Sequence, residues 1–327
     1  MEYYFAPMEG ITGYIHRNVH HSLFPGISKY FTAFIAPGQK GKFSAREKND
    51  ILPAHNQDMY TVPQLLTNNA QDFITTAAKL GEMGYREINL NLGCPSRTVV
   101  TKYRGSGFLA KPAALDRFFE EVFAACREGG ESSLQGMGIS VKTRLGVEEP
   151  EEFFRLLDIY NKYPLKELII HPRTQQDFYS GPVHMDLFAY GAENSRCPVC
   201  YNGDIRTGED MRALASTFPD LDRVMIGRGL LVNPALHQML QGAEMPDKTV
   251  LRKFHDQIYA WYKEEMPGAK PVLFKMKELW AYMGQLFEGA EKPLKKIRKA
   301  EKLAAYEEAA AWLFESCEVK DGEYHAL

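Results

Sequence analysis

The sequence predicts an α/β fold, a (β/α)8 TIM barrel followed by a smaller all-helical C-terminal domain. Three observations lead there. Short apolar or β-rich runs alternate with longer amphipathic stretches up to about Leu240, the rhythm of βα units rather than of a β-sandwich. Eight such units fit this stretch, and no glycine fingerprint of the dinucleotide type follows the first strand, which favours a barrel over an open doubly wound sheet. After Asn233-Pro234 the apolar pattern turns helical and needs no strand.

In order, strands are expected at residues 3–8, 29–36, 61–66, 87–92, 138–144, 167–170, 197–202 and 223–227. The clearest helices are expected at 70–83, 112–127, 150–160 and 208–218, where apolar residues recur three and four apart. The barrel is assigned to residues 1–240, a helical domain to 246–315 after Met245-Pro246-Asp247, and a frayed tail to 316–327. Phe254, Ile258, Trp261 and Tyr262, then Phe274, Met276, Leu279, Trp280 and Met283, recur at helical spacing and are expected to form the core of a small bundle.

With 327 residues, 45% of them hydrophobic, the chain can bury a substantial core. Five scattered cysteines do not make a secreted disulfide framework and are expected to be reduced thiols. The N-terminus lacks the pattern of a signal peptide and no run is long enough to span a membrane, so a cytoplasmic protein is expected; a monomer is expected as well. The net charge of −3 is unevenly spread. Thirteen Lys or Arg stand against seven Asp or Glu between Lys248 and Lys302, so that segment is near +6 and the remainder near −9.

Barrel enzymes place their chemistry at the C-terminal ends of the strands. Here the first strand ends in Ala6-Pro7-Met8, the third carries Gln64, and the fourth runs into Asn91-Leu92-Gly93-Cys94-Pro95. The fifth delivers Lys142 and Arg144, the sixth leads to His171-Pro172-Arg173-Thr174, the seventh to Asn202-Gly203-Asp204 and the eighth to Gly227-Arg228-Gly229. The last two are where barrels commonly bind phosphate, and their small residues and guanidinium suit a phosphorylated cofactor or substrate.

These runs, with Gly105 eleven residues beyond Cys94, resemble in order and spacing those of the dihydrouridine synthases over residues 1–240. The resemblance implies an FMN-containing barrel, reduced by NADPH, that passes a hydride to C6 of a uracil in tRNA while Cys94 protonates C5. A thiol of ordinary pKa, about 8.5, still carries near neutral pH the proton it must give away. By the same resemblance Ala6, Pro7, Met8, Gln64, Lys142, His171, Asn202, Gly203, Asp204, Gly227 and Arg228 would hold the cofactor, with Lys142 beside the flavin pyrimidine edge. Asn91, Arg144 and Arg173 would meet the substrate.

A uracil stacked inside folded RNA must be splayed out to reach such a site. Lys295, Lys296, Arg298 and Lys299 form the densest basic cluster and would contact the RNA backbone. Three alternatives stay open at this point: the same chemistry on ribosomal RNA, a flavin reductase of a free small molecule, and an RNA-binding factor without turnover. No metal is expected. Cys197 and Cys200 have the spacing of half a zinc site with no second pair, and His16, His20 and His21 have no supporting ligand cluster.

Overall fold

The computed structural model describes residues 1–38, 41–127 and 134–320. The described residues form nine strands: β1 (Glu2–Phe5), β2 (Lys29–Phe31), β3 (Thr61–Val62), β4 (Gln64–Leu65), β5 (Glu87–Leu92), β6 (Gly138–Arg144), β7 (Glu167–His171), β8 (Val199–Tyr201) and β9 (Arg223–Ile226). They make one sheet in the order β3-β2-β1-β9-β8-β7-β6-β5-β4, with parallel pairing. Its two ends, β3 and β4, are halves of one stretch interrupted by Pro63, which has no N–H to give a ladder. Val62 O accepts from Thr32 N at 3.1 Å on one side and Pro63 O accepts from Asn89 N at 2.9 Å on the other. That single stretch closes the sheet into the expected (β/α)8 barrel. The second strand is shorter than its β-rich sequence predicts: beyond Phe31 only Ile35 pairs again, as an isolated bridge to Leu65.

Strand alternation sorts the side chains. On β5, Ile88, Leu90 and Leu92 are fully buried on one face, and Glu87, Asn89 and Asn91 occupy the other. Around the barrel, Tyr4, Ala6, Phe31, Val62, Ile169, Cys200 and Met225 make a continuous apolar cluster. The helices outside bury a stripe each. Helix Ala70–Glu82 is capped by Asn69, whose side chain accepts from Asp72 N, and buries Phe73, Ile74, Ala77 and Leu80. Helix Pro112–Arg127 buries Leu115, Phe118, Phe119, Val122 and Phe123.

The strand starts enclose an ionic network. Lys29 Nζ lies 3.3 Å from Glu87 and 3.1 Å from Glu167, both carboxylates being almost fully buried. Lys166 pairs with Glu87 at 2.8 Å, Arg223 with Glu167 at 3.4 Å, and the Tyr4 and Tyr60 hydroxyls donate to Glu167 and Glu87. Each buried charge has partners on several sides, the condition under which such a cluster is tolerated.

The chain divides into two compact units built from interleaved stretches. One holds Met1–Pro7, Lys29–Gly203 and Asp220–Met225; the other holds Met8–Ser28, Asp204–Pro219 and the chain from Ile226 onward. In the second unit the first helix, Tyr14–Leu23, packs against Lys248–Glu265: His16 meets Phe254 edge-on at 5.5 Å and Tyr14 meets Trp261 at 5.8 Å. Helices Ala269–Met283, Glu291–Lys299 and Leu303–Ser316 complete its core, which includes Phe254, Ile258, Met276, Leu279, Trp280 and Met283.

Phe274 departs from the expected core: it is 62% exposed. The buried stripe runs through Val272, Leu273, Met276, Leu279, Trp280 and Met283, and at about 100° per residue Phe274 falls on the opposite side. Trp280, also at core spacing, is buried and its Nε1 donates to Tyr306 Oη at 2.9 Å. Where a frayed tail is expected, the chain past Ser316 is paired: Glu288 N donates to Glu318 O and Lys320 N to Leu286 O, both at 2.9 Å. Residues 321–327 of that expected tail lie outside the described residues.

Candidate active site

The second half of the barrel's strand order, β4 to β7, lines the interior with polar groups. Asn89 Nδ2 donates to Ser140 Oγ at 3.0 Å, Gln64 Nε2 to Asn89 Oδ1 at 2.8 Å, and Asn91 Nδ2 to Gln64 Oε1 at 2.7 Å. Asn91 Oδ1 then accepts from the backbone N–H groups of Gly93 and Cys94, at 3.0 and 2.9 Å. A chain of amides thus runs from inside the barrel to the cysteine backbone, and each member fixes the next. Gln64 is fully buried and engaged at both ends, so its visible duty is to orient Asn91. Asn89 is not among the site residues expected from the sequence, although its two-residue spacing from Asn91 puts both on one strand face.

Cys94 follows β5 and is only partly buried, in contrast to the fully enclosed Cys200. Its carbonyl accepts from Ser106 N at 3.1 Å and Ser106 Oγ at 2.9 Å. Between them Gly105 has φ +56°, and a Cβ there would stand 2.7 Å from Cys94 O and 3.1 Å from Cys94 Cβ. Only glycine permits that approach, which is the physical reason for a glycine eleven residues beyond the cysteine. Ser106, a fully buried residue that sequence reasoning passed over, also donates to Gln175 Oε1 at 3.2 Å.

Lys142 stands opposite Asn91 in the β5–β6 register. A Cβ on Gly93 would lie 3.9 Å from its Nζ. The amine makes no ion pair with a carboxylate among the described residues, and burial, aided by the Arg144 charge, pulls its pKa down to about 7. Arg144 is buried: Nε donates to Gly93 O at 2.9 Å and Nη1 to Thr174 O at 2.7 Å, while the guanidinium lies 5.3 Å from the Tyr179 ring centre. It staples the loop after β5 to the loop after β7. Arg173 donates from Nε to Gly181 O at 2.7 Å, and its Nη1 lies 3.3 Å from His171 Nε2. Gln64, Asn91, Cys94, Lys142, Arg144, His171 and Arg173 therefore belong to one unit, linked through these strand ends.

The remaining expected residues divide. Ala6 and Pro7 follow β1 in the first unit, and Met8 begins a turn in the second, its N–H donating to Thr12 Oγ1 at 2.8 Å. Asn202 Nδ2 donates to Met225 O at 2.8 Å, joining the ends of β8 and β9. The Tyr201 hydroxyl lies against Gly203 where a Cβ would stand. In the second unit Arg228 Nη2 pairs with Asp204 Oδ1 at 2.7 Å, just after Gly227. Of that pair only the guanidinium suits a phosphate; the carboxylate is placed to orient it. Lys295, Lys296, Arg298 and Lys299 lie exposed on helix Glu291–Lys299, Lys296 Nζ 4.7 Å from the Trp312 ring centre. Among the described residues no group of three His, Cys, Asp or Glu could hold a metal, and no helix is long and apolar enough to cross a membrane.

The family model for dihydrouridine synthase matches residues 4–318. The tRNA-dihydrouridine(16) synthase of Vibrio parahaemolyticus is 28% identical over 257 residues, covering 77% of this chain and 74% of that protein. A probable tRNA-dihydrouridine synthase of Staphylococcus aureus is 30% identical over 240 residues, covering 70% of this chain and 68% of that one. Among solved structures, a variant of NCR from Zymomonas mobilis aligns with a TM-score of 0.51 at 13% identity over 77% of this chain and 90% of that one, a likeness of fold. With the model match spanning nearly the whole length, this chain belongs to the dihydrouridine synthase family.

Proposed function

We propose that this protein reduces uridine to 5,6-dihydrouridine in tRNA, with FMN as bound cofactor and NADPH as reductant. The observation that carries the reading is the pairing of a partly exposed thiol, on a backbone locked by Asn91 and Ser106, with a lysine amine on the neighbouring strand that has no carboxylate partner among the described residues. A buried amine without an anion is costly unless a ligand supplies negative charge, and the pyrimidine edge of a flavin, which gains charge on reduction, fits that need. FMN, when bound and reduced, supplies the hydride taken up at uracil C6. Cys94 gives its thiol proton to C5 and regains one from solvent, which completes addition of two hydrogens across the C5=C6 bond.

Asn91, Arg144 and Arg173 would position the uracil; Arg228, oriented by Asp204, would meet a phosphate. Residues 1–240 would act as the catalytic part and 246–315 as an RNA-holding part, with the basic helix on the RNA backbone. The test is to incubate the pure protein, FMN and NADPH with unmodified tRNA and, separately, ribosomal RNA, and to quantify dihydrouridine by mass spectrometry. Dihydrouridine at a defined tRNA site is expected, reduced by a factor of about 10² to 10⁴ in Cys94→Ala. A flavin that NADPH reduces but that yields no dihydrouridine in tRNA would sink the tRNA reading, and an undiminished rate in Cys94→Ala would sink the proton-donor role.

A further inference from the structure

Among the described residues, three that are not glycine have left-handed backbone: Asp58 (φ 60°), Tyr103 (φ 50°) and Phe178 (φ 48°). Aspartate tolerates this region, but a bulky aromatic there is an outlier whose strain the rest of the structure must hold. Burial does not explain the two aromatics, because Tyr103 is 49% and Phe178 54% exposed. Backbone strain of this kind clusters at active sites and ligand clamps, where the surrounding structure holds it.

Both rings sit on loops at the catalytic end of the barrel. Tyr103 lies in the loop after β5, two residues before the glycine that packs on Cys94 O. Phe178 lies in the loop after β7. The loops are joined by Ser106 Oγ donating to Gln175 Oε1 at 3.2 Å, and Arg144 bonds to a carbonyl of each. Lys111 Nζ lies 4.8 Å from the Tyr103 ring centre, and Arg97 and Lys102 are exposed on the same loop after β5. Asn68 Nδ2, donating to Lys102 O at 3.1 Å, helps hold the loop.

Exposed aromatics interleaved with cations are what a single-stranded nucleic acid needs, since every base has a face to stack and every linkage a phosphate to pair. We infer that Tyr103 and Phe178 are stacking platforms for the nucleotides flanking the uridine that is reduced, with Arg97, Lys102 and Lys111 on their phosphates. This rests on the functional reading above. A splayed-out target uridine leaves its neighbours unstacked, and the two rings would replace the stacking they lose.

The left-handed backbone makes the test clean, because glycine adopts it without strain. Tyr103→Gly and Phe178→Gly should melt no lower than the wild type, yet raise the KM for unmodified tRNA by about 5- to 50-fold, a loss of stacking read in KM rather than in kcat. Tyr103→Phe, which keeps the ring, should keep the wild-type KM. If the wild type forms dihydrouridine and both glycine variants show an unchanged KM, this inference alone is overturned and the rings serve some partner other than the substrate RNA. If the wild type forms none in either RNA, the functional reading falls and takes this inference with it.

Discussion

Two lysines point into the same barrel and meet opposite fates. Lys29, at the strand starts, is held between Glu87 and Glu167, with Lys166, Arg223 and two tyrosine hydroxyls completing the cluster. Lys142, nearer the strand ends, has amides, Arg144 and the Cys94 loop around it and no carboxylate partner among the described residues. The chain neutralises one cation by itself, whereas no carboxylate among the described residues does so for the other. Bury a charge with its partners and it serves stability; bury it without them and it depends on a ligand.

The contrast breaks hardest at Lys29. Burial would raise the Glu87 carboxyl, but Lys29 and the Lys166 hydrogen bond override it and hold that pKa below the ordinary range. Burial raises Glu167, and Lys29 and Tyr4 only partly oppose this. Lys29→Met leaves two buried carboxylates close together and should cost about 3–5 kcal/mol of unfolding free energy at neutral pH. Without the lysine the Glu167 pKa rises further. A carboxyl whose folded pKa lies above its unfolded value favours folding below the unfolded pKa and loses that contribution as pH rises through the folded one. The deficit should therefore shrink as pH falls from 7 towards 5, as denaturant melts at several pH values would read. A deficit independent of pH would mean that the network is not electrostatic.

At Lys142 the sign reverses. A lysine whose folded pKa is pulled down to about 7 binds its proton less tightly folded than unfolded, so the penalty is full below pH 7 and fades as pH climbs towards the unfolded value near 10. Lys142→Met should raise the stability of the flavin-free protein by about 2 kcal/mol at pH 6, where the partly exposed side chain is screened by solvent, and by less at pH 9. The same substitution should slow reduction of bound flavin by NADPH by about 10²-fold, through loss of a cation where negative charge develops. Stopped-flow bleaching of the flavin and thermal melts give both numbers. A variant that is less stable and equally fast would erase the distinction between the two lysines.

Much of this was legible in the sequence because it is periodic. The alternation along 87–92 and 138–144 marks β5 and β6 to the residue, and the strand-end rule picks out Cys94, Lys142 and Arg144. What escaped depends on where chain segments meet. Nothing local shows that Gln64 has both ends engaged by asparagines on β5, or that the first helix packs with helix Lys248–Glu265. Phe274 shares the composition of a core residue, and only its exact angle on the helix puts it in water. The strain at Tyr103 and Phe178 is likewise invisible, since a left-handed aromatic is spelled like any other.

The smallest expected effect tests how firmly the mouth must be held. The single Ser106 hydroxyl proton is shared between Cys94 O at 2.9 Å and Gln175 Oε1 at 3.2 Å, and Ser106 N also donates to Cys94 O, so Ser106→Ala removes one of two ties to the cysteine. Stability should fall by only about 1 kcal/mol, the net worth of a buried hydrogen bond. Dihydrouridine formation should fall several-fold more than flavin reduction by NADPH, because the proton from Cys94 is needed in the first reaction and not in the second. Small displacements of a catalytic group are expensive in rate even where they are cheap in stability. Equal losses in the two half-reactions would instead place the Ser106 tie with the general packing of the barrel, on the same footing as the network around Lys29.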